Sequence, residues 1–172
     1  MAKWKKVVIG IIIMAIAAFA FLSWYKYHYS MEVARTFEVN SPALATRVLI
    51  ATQGSDYKNA VVAGLVARLE PMPIYLRVID VSTLPQINEA DWNAIVLIHT
   101  WENLEAEAHS RQFVAGTKTL NKLIVLTTSG RGSYKIEGIN AITSASTMSD
   151  VPVKVAEIEA RLKIVLESNA ER

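Results

Sequence analysis

The stretch "VLIATQGSDYKNAVVAGL", Val48 to Leu65, decides how this chain is read. Its first four residues form an apolar run of strand character, and "TQGSD" then supplies a small polar turn. Beyond the turn Tyr57, Val61, Leu65 and Leu69 recur every fourth residue, lining one face of a helix that ends before "EPMP". A strand that passes through a glycine-bearing turn into a helix has the shape of a phosphate cradle. The first backbone N–H groups of a helix lack internal partners, and the helix dipole favours an anion beside them.

The same alternation continues outward from this stretch. Apolar runs begin at Val48 ("VLIA"), Ile74 ("IYLRVIDV"), Ala94 ("AIVLI"), Leu123 ("LIVLT") and Gly138 ("GINAI"), so five strands are expected. The eleven residues of "STLPQINEADW" between the second and third runs leave room only for a short helical turn. A mostly polar helix is expected over Leu104 to Val114, docked by Phe113 and Val114, with Glu102, Glu105 and Glu107 facing solvent. Near the C-terminus Val151, Val155, Ile158, Leu162 and Val165 step by four and three, with Asp150 placed as an N-cap and Pro152 tolerated in the first turn. Strands apolar on both faces and separated by helices indicate an α/β fold, a doubly wound parallel five-stranded sheet covered on both sides.

The hydrophobic fraction of 52% is high for 172 residues, and the excess sits at the N-terminus. "VVIGIIIMAIAAFAFLSWY", Val7 to Tyr25, carries no charge and as a helix would extend roughly 28 Å, about the hydrocarbon thickness of a bilayer. Trp4 before it and Trp24, Tyr25, Tyr27 and Tyr29 after it have the character of aromatic belts. "AFA" at Ala18 to Ala20 has the small-residue form of a signal-peptide cleavage site, but the apolar run continues through Phe21, Leu22, Trp24 and Tyr25, so an uncleaved anchor is expected. Lys3, Lys5 and Lys6 precede the span while Lys26 and Arg35 follow it, which points to a cytoplasmic N-terminus. The expected arrangement is a single-pass protein of a bacterial inner membrane: an anchor over residues 1–27, a juxtamembrane linker over 28–46 and an extracytoplasmic α/β domain over 47–172.

Charge and composition remove several classes of function. Beyond Ser41 the chain holds thirteen Lys and Arg against fourteen Asp and Glu, with no basic run, so nucleic acid is not an expected partner. Zero cysteines rule out disulfides, thiolate nucleophiles and cysteine metal sites. His28, His99 and His109 have no metal-ligand spacing, and His99 is expected as a hydrogen-bonded rim residue at a strand end. Ser129 and Ser133 lack the G-x-S-x-G elbow, and neither G-x-x-x-x-G-K-[ST] nor G-x-G-x-x-G occurs.

Ligands of open parallel sheets bind beyond the carboxyl ends of the strands, here the loops "TQGSDYKN", "HTWENLEAEAH" and "TSGRGSYKIEG". On these loops the chain, over Arg47 to Ser168, resembles the flavodoxin-like family. "ATQGSD" stands where that family has a hydroxyl-rich phosphate loop [ST]-[ST]-x-G-x-[ST]. "HTWEN", His99 to Asn103, is similar to the Thr-Trp loop whose tryptophan covers one face of the flavin, and "GRGSY", Gly130 to Tyr134, to the loop whose tyrosine covers the other. The resemblance implies strand order 2-1-3-4-5 and places Thr52, Gly54, Ser55, Thr100, Trp101, Gly132 and Tyr134 at an FMN site. Two positions depart from the pattern: Ala51 replaces the first hydroxyl and Asp56 the last. A carboxylate at Asp56 would repel the phosphate, and Ser55 or Asp56 would serve as the helix cap. "NAITSAS", Asn140 to Ser146, is similar to a short motif through which membrane-linked respiratory proteins attach FMN, but small hydroxyl residues before a capped helix account for it without chemistry.

Two functions follow from these readings. One is a membrane-anchored binding or assembly module for a protein partner, without conventional FMN use. The other is a membrane-tethered FMN electron carrier.

Overall fold

The computed structural model describes residues 2–29, 31–102 and 104–170, and the chain divides into two compact units, residues 1–31 and 32–172. The first unit is one helix, α1 (Ala2–Tyr29), whose segment Trp4–Trp24 is long and apolar enough to cross a membrane, with a mean hydropathy of 2.6. Ile9, Ile12, Ile13, Ile16, Phe19 and Leu22 are exposed around it, so it is apolar on all sides rather than along one stripe. The side chains of residues 25–29 lie outside the described part, and with them the belt expected from Tyr25, Tyr27 and Tyr29.

The second unit is built on a mostly parallel sheet of β1 (Phe37–Val39), β2 (Thr46–Thr52), β3 (Ile74–Asp80), β4 (Ala94–Glu102), β5 (Glu105–Ala106), β6 (Leu123–Thr128) and β7 (Ile142–Ser144). Its hydrogen-bonded path runs β1-β3-β2-β4-β6-β7, with β5 paired to β4 alone. The expectation of five strands is therefore corrected to six along the path and a seventh beside it. The parallel strands β2, β3, β4, β6 and β7 number five, and the two additions are antiparallel: β1 borders β3 as an edge strand, and β5 folds back on the end of β4. Both are short and of mixed polarity, so neither produces an apolar run. β7 also begins at Ile142, later than the run that suggested it.

Val48, Leu49, Ile50 and Ala51 of β2 and Val96, Leu97 and Ile98 of β4 have no accessible surface, because alternate side chains go to opposite covers. On one face lie α2 (Asp56–Leu69) and α4 (Val151–Ala170), packing Tyr57, Val61, Leu65, Leu69, Val155, Ile158, Leu162 and Val165 against Val48, Ile50, Val96 and Ile98. These are the periodic residues of the two expected helices. On the other face Val81, Leu84, Trp92 and Val114 cover Leu49, Ala51, Ile95 and Leu97. The β3–β4 connection does hold only short 3-10 turns, Val81–Gln86 and Glu89–Asp91.

The third helix, α3 (Ala108–Gly116), starts later than expected. Glu102 ends β4, Glu105 lies on β5 in an ion pair with Arg111, and Glu107 is the N-cap of α3, so the three acids do not form one solvated helix face. The Glu107 carboxylate accepts from the backbone N–H groups of His109 and Ser110, from Ser110 Oγ–H and from the His109 ring. Burial pushes the Glu107 pKa up, but these hydrogen bonds outweigh it and hold it below the usual value.

Strand order reverses between the parallel strands β2 and β4: β2 leads to β3 on one side, while β4, β6 and β7 follow on the other. That reversal puts a topological switch point at the carboxyl ends of β2 and β4. Replacing Ile158→Ala, whose side chain is fully buried between α4 and the sheet, is expected to lower domain stability by about 2–5 kcal/mol, read as a lower urea midpoint without a change in slope.

Candidate functional site: the carboxyl edge of the sheet

All strands of a parallel sheet end at the same edge, and here that edge gathers polar residues that are nevertheless buried. Thr52, Gln53, Thr100, Thr128, Ser129 and Ser144 are each no more than 8% exposed. Such groups need partners, because a buried polar atom without one costs on the order of 1–3 kcal/mol. Gln53 Oε1 accepts from the Thr100 N–H at 2.8 Å and ties the first loop to the end of β4. Thr100 Oγ1 and Thr128 Oγ1 share a hydrogen bond of 3.1 Å, and Thr128 Oγ1 donates to the His99 carbonyl at 3.3 Å. Tyr57 O–H donates to Ser144 Oγ at 2.8 Å, joining α2 to the edge strand β7.

His99 is not a rim residue: it has no accessible surface. Its Nδ1 lies 3.2 Å from the Thr100 carbonyl and its Nε2 2.9 Å from Thr127 Oγ1. A neutral imidazole satisfies both, donating from Nδ1 to the carbonyl and accepting at Nε2 from the hydroxyl. Burial lowers its pKa to about 4, opposed in part by the Thr100 carbonyl. With no exposed face it is a structural link between β4 and β6 and has no access to a substrate.

The first loop is occupied from within the chain. The Gly54 N–H, the central donor expected for a phosphate, donates to the Glu32 carbonyl at 2.6 Å, and the two residues form an isolated antiparallel bridge. A Cβ built on Gly54 would stand 2.7 Å from that carbonyl oxygen, so the strap after α1 can lie this close only over a glycine. Ser55 is the N-cap of α2, its Oγ accepting from the Lys58 N–H at 3.3 Å. Asp56 is the first helical residue and is exposed, so the capping role falls to Ser55. Thr52 Oγ1 donates to the Gln53 carbonyl, which turns this hydroxyl inward too.

Between the end of β4 and the loop after β6 Trp101 stacks on Tyr134, with ring centroids 5.5 Å apart and planes inclined by 10°. A ring sandwiched between two aromatic faces needs them two van der Waals layers apart, roughly 7 Å. The indole and the phenol therefore cover each other and leave no gap for a third ring, and this arrangement does not fit FMN in a sandwiched pose. Gly132 has φ +64° and lets the third loop turn back, and a Cβ there would meet the Ala145 backbone N at 2.7 Å. Asn103, the last residue of "HTWEN", lies outside the described residues.

The structure thus brings all seven sequence-derived residues to one edge, linked through Gln53 and through the Trp101–Tyr134 stack. Reading the sequence missed Glu32, Gln53 and Lys58. Lys58 is 1% exposed, and burial lowers its pKa to about 8 despite the Glu102 carboxylate, which favours the charged form. A signal for it existed: Lys58 lies four residues before Val62, which is also buried, and so shares its helix face. Ser129 Oγ, Trp101 Nε1 and Glu102 Oε1 are buried without a hydrogen-bond partner among the described residues. No group of three His, Asp or Glu among the described residues could hold a metal ion. No protein-family model matches the chain, and no curated protein is similar to it in sequence.

The His99 pKa carries a pH dependence whose sign is determined. The folded imidazole titrates near 4 and the unfolded one near 6.5, so the unfolded chain binds the proton first. Stability from this group is complete above pH 6.5 and is lost as pH falls toward 4. Between pH 6.5 and 5, above the main carboxylate range, unfolding free energy should fall by about 1–2 kcal/mol, and His99→Gln should flatten that slope.

Proposed function

We propose that the chain is a membrane-anchored, flavodoxin-like α/β domain that acts as a binding or assembly module for a protein partner, without conventional FMN use. The observation that carries the reading is the Glu32 carbonyl on the Gly54 N–H, which takes up the donor that the phosphate of a flavin nucleotide would require. The parallel strands run second, first, third, fourth, fifth in chain order, which supports the flavodoxin-like assignment. The closed Trp101–Tyr134 pair supports the cofactor-free half of it. Asp56 adds a negative charge at the mouth of the same loop. The lysine bias around the span supports a cytoplasmic N-terminus in a bacterial inner membrane, with the domain outside.

One observation favours a second reading, an FMN electron carrier. Trp101 and Tyr134, far apart in sequence, meet at the carboxyl edge beside the switch point, where an aromatic pair would be needed to hold a flavin.

Titrating the detergent-solubilised full chain with FMN separates the two. We expect no saturable change in flavin absorbance or fluorescence at micromolar protein, and a stoichiometric yellow complex would establish the electron carrier instead. A topology reporter fused after Arg172 is expected to be active only in its extracytoplasmic form, and activity of a cytoplasmic-only reporter would reverse the orientation.

A further inference from the structure

The residues that follow the membrane-length helix do more than connect it to the domain. Glu32 and Ala34 are both hydrogen-bonded to the carboxyl edge: the Glu32 carbonyl accepts from Gly54 N–H at 2.6 Å, and Ala34 N–H donates to Asp80 Oδ2 at 2.7 Å. Asp80 is itself buried at the end of β3, and its other oxygen accepts from the Ser82 N–H at 2.9 Å. The strap therefore spans the ends of β2 and β3 and closes the first loop.

Its attachment is narrow. Glu32, Arg35 and Thr36 are exposed and Val33 is 81% exposed, leaving Ala34, with a single methyl group, as the buried residue among Glu32–Thr36. Beside the strap an open groove of about 600 Å³, bordered by Glu32, Arg35, Asn59, Val62, Ala63 and Val66, separates it from α2. A segment held by backbone hydrogen bonds at Glu32 and Ala34, with almost no apolar burial and free space beside it, belongs to the low-stability end of a fold, where opening is local. The core strands beneath, Leu49 to Ala51, have no accessible surface and open only with the domain.

We propose that Glu32–Ala34 is an intrasteric latch: its own carbonyl occupies the anion seat of the first loop, and it lifts as a local unit to uncover the Gly54 N–H while the sheet stays folded. This deepens the cofactor-free reading, on which it rests, by naming what keeps the loop closed: the strap rather than the Asp56 charge.

The test is residue-resolved hydrogen exchange on the full chain in detergent micelles. Without denaturant, the Gly54 amide should exchange at least 100-fold faster than those of Leu49 to Ala51. Ala34→Pro, which deletes the strap donor, and Asp80→Ala, which deletes its acceptor, should each speed Gly54 exchange a further tenfold or more while Leu126 stays protected. Gly54 exchanging at the core rate overturns the latch. So does unchanged Gly54 exchange in both variants, or loss of Leu126 protection in both, which would make the strap part of the global fold. FMN binding gained by Asp56→Thr alone overturns it as well, since charge would then be the block. Flavin uptake by the unaltered chain would instead overturn the cofactor-free reading, and the latch would still be judged by Gly54 exchange.

Discussion

Val48 to Ala51 and Val96 to Ile98 are apolar on both faces of the sheet, and a strand of that kind is stable only if something covers each side. α2 and α4 supply one cover, while the 3-10 turns and α3 supply the other. Once β2, β3, β4, β6 and β7 are parallel, their connections must return along the sheet faces, and all five strands release their chains at the same edge. The collection of loops at that edge is a consequence of two-sided burial.

The edge inherits a difficulty from this arrangement. Strand ends carry backbone groups whose ladder partners have run out, and the loops bring hydroxyl, amide and aromatic side chains into the same space. The chain answers mostly with its own atoms: Gln53 to Thr100, Thr100 to Thr128, His99 to Thr127 and Tyr57 to Ser144. Each is a bond between elements distant in sequence, so together they hold the carboxyl ends of four parallel strands in register. His99 shows how far this goes, since an ionisable residue at a strand end is held neutral as a bridge.

The first loop shows what a glycine turn admits. A glycine at the turn is what a phosphate loop needs for close approach, and the same absence of a Cβ admits the Glu32 carbonyl at 2.6 Å. A peptide carbonyl carries partial negative charge and is a fair substitute for a phosphate oxygen at a single N–H donor. Trp101 and Tyr134 likewise cover each other's flat faces. Both halves of the edge thus find partners within the chain, while Ser129 Oγ, Trp101 Nε1 and Glu102 Oε1 stay buried without a hydrogen-bond partner among the described residues.

The membrane-length helix, the mostly parallel α/β sheet, the helices through Tyr57–Leu69 and Val151–Val165, and the three loops at the carboxyl edge were legible in the sequence, because each is written as a hydrophobic period or a turn. β1 and β5 were not, since strands of three and two residues have no period to detect and exist only because β3 and β4 offer them an edge. The late start of α3 depends on Leu104 at φ +69° and on Glu107 as N-cap, both uncommon for those residue types, so local propensity favoured an earlier helix. The sequence by itself determined the apolar core and which loops lie at one edge, because apolar periods and turns follow local pattern, but not the burial of His99, Gln53 and Lys58. Only the tertiary structure decided that Glu32 sits on Gly54 and that Trp101 faces Tyr134, because a contact across 22 or 33 residues depends on where the sheet places both ends.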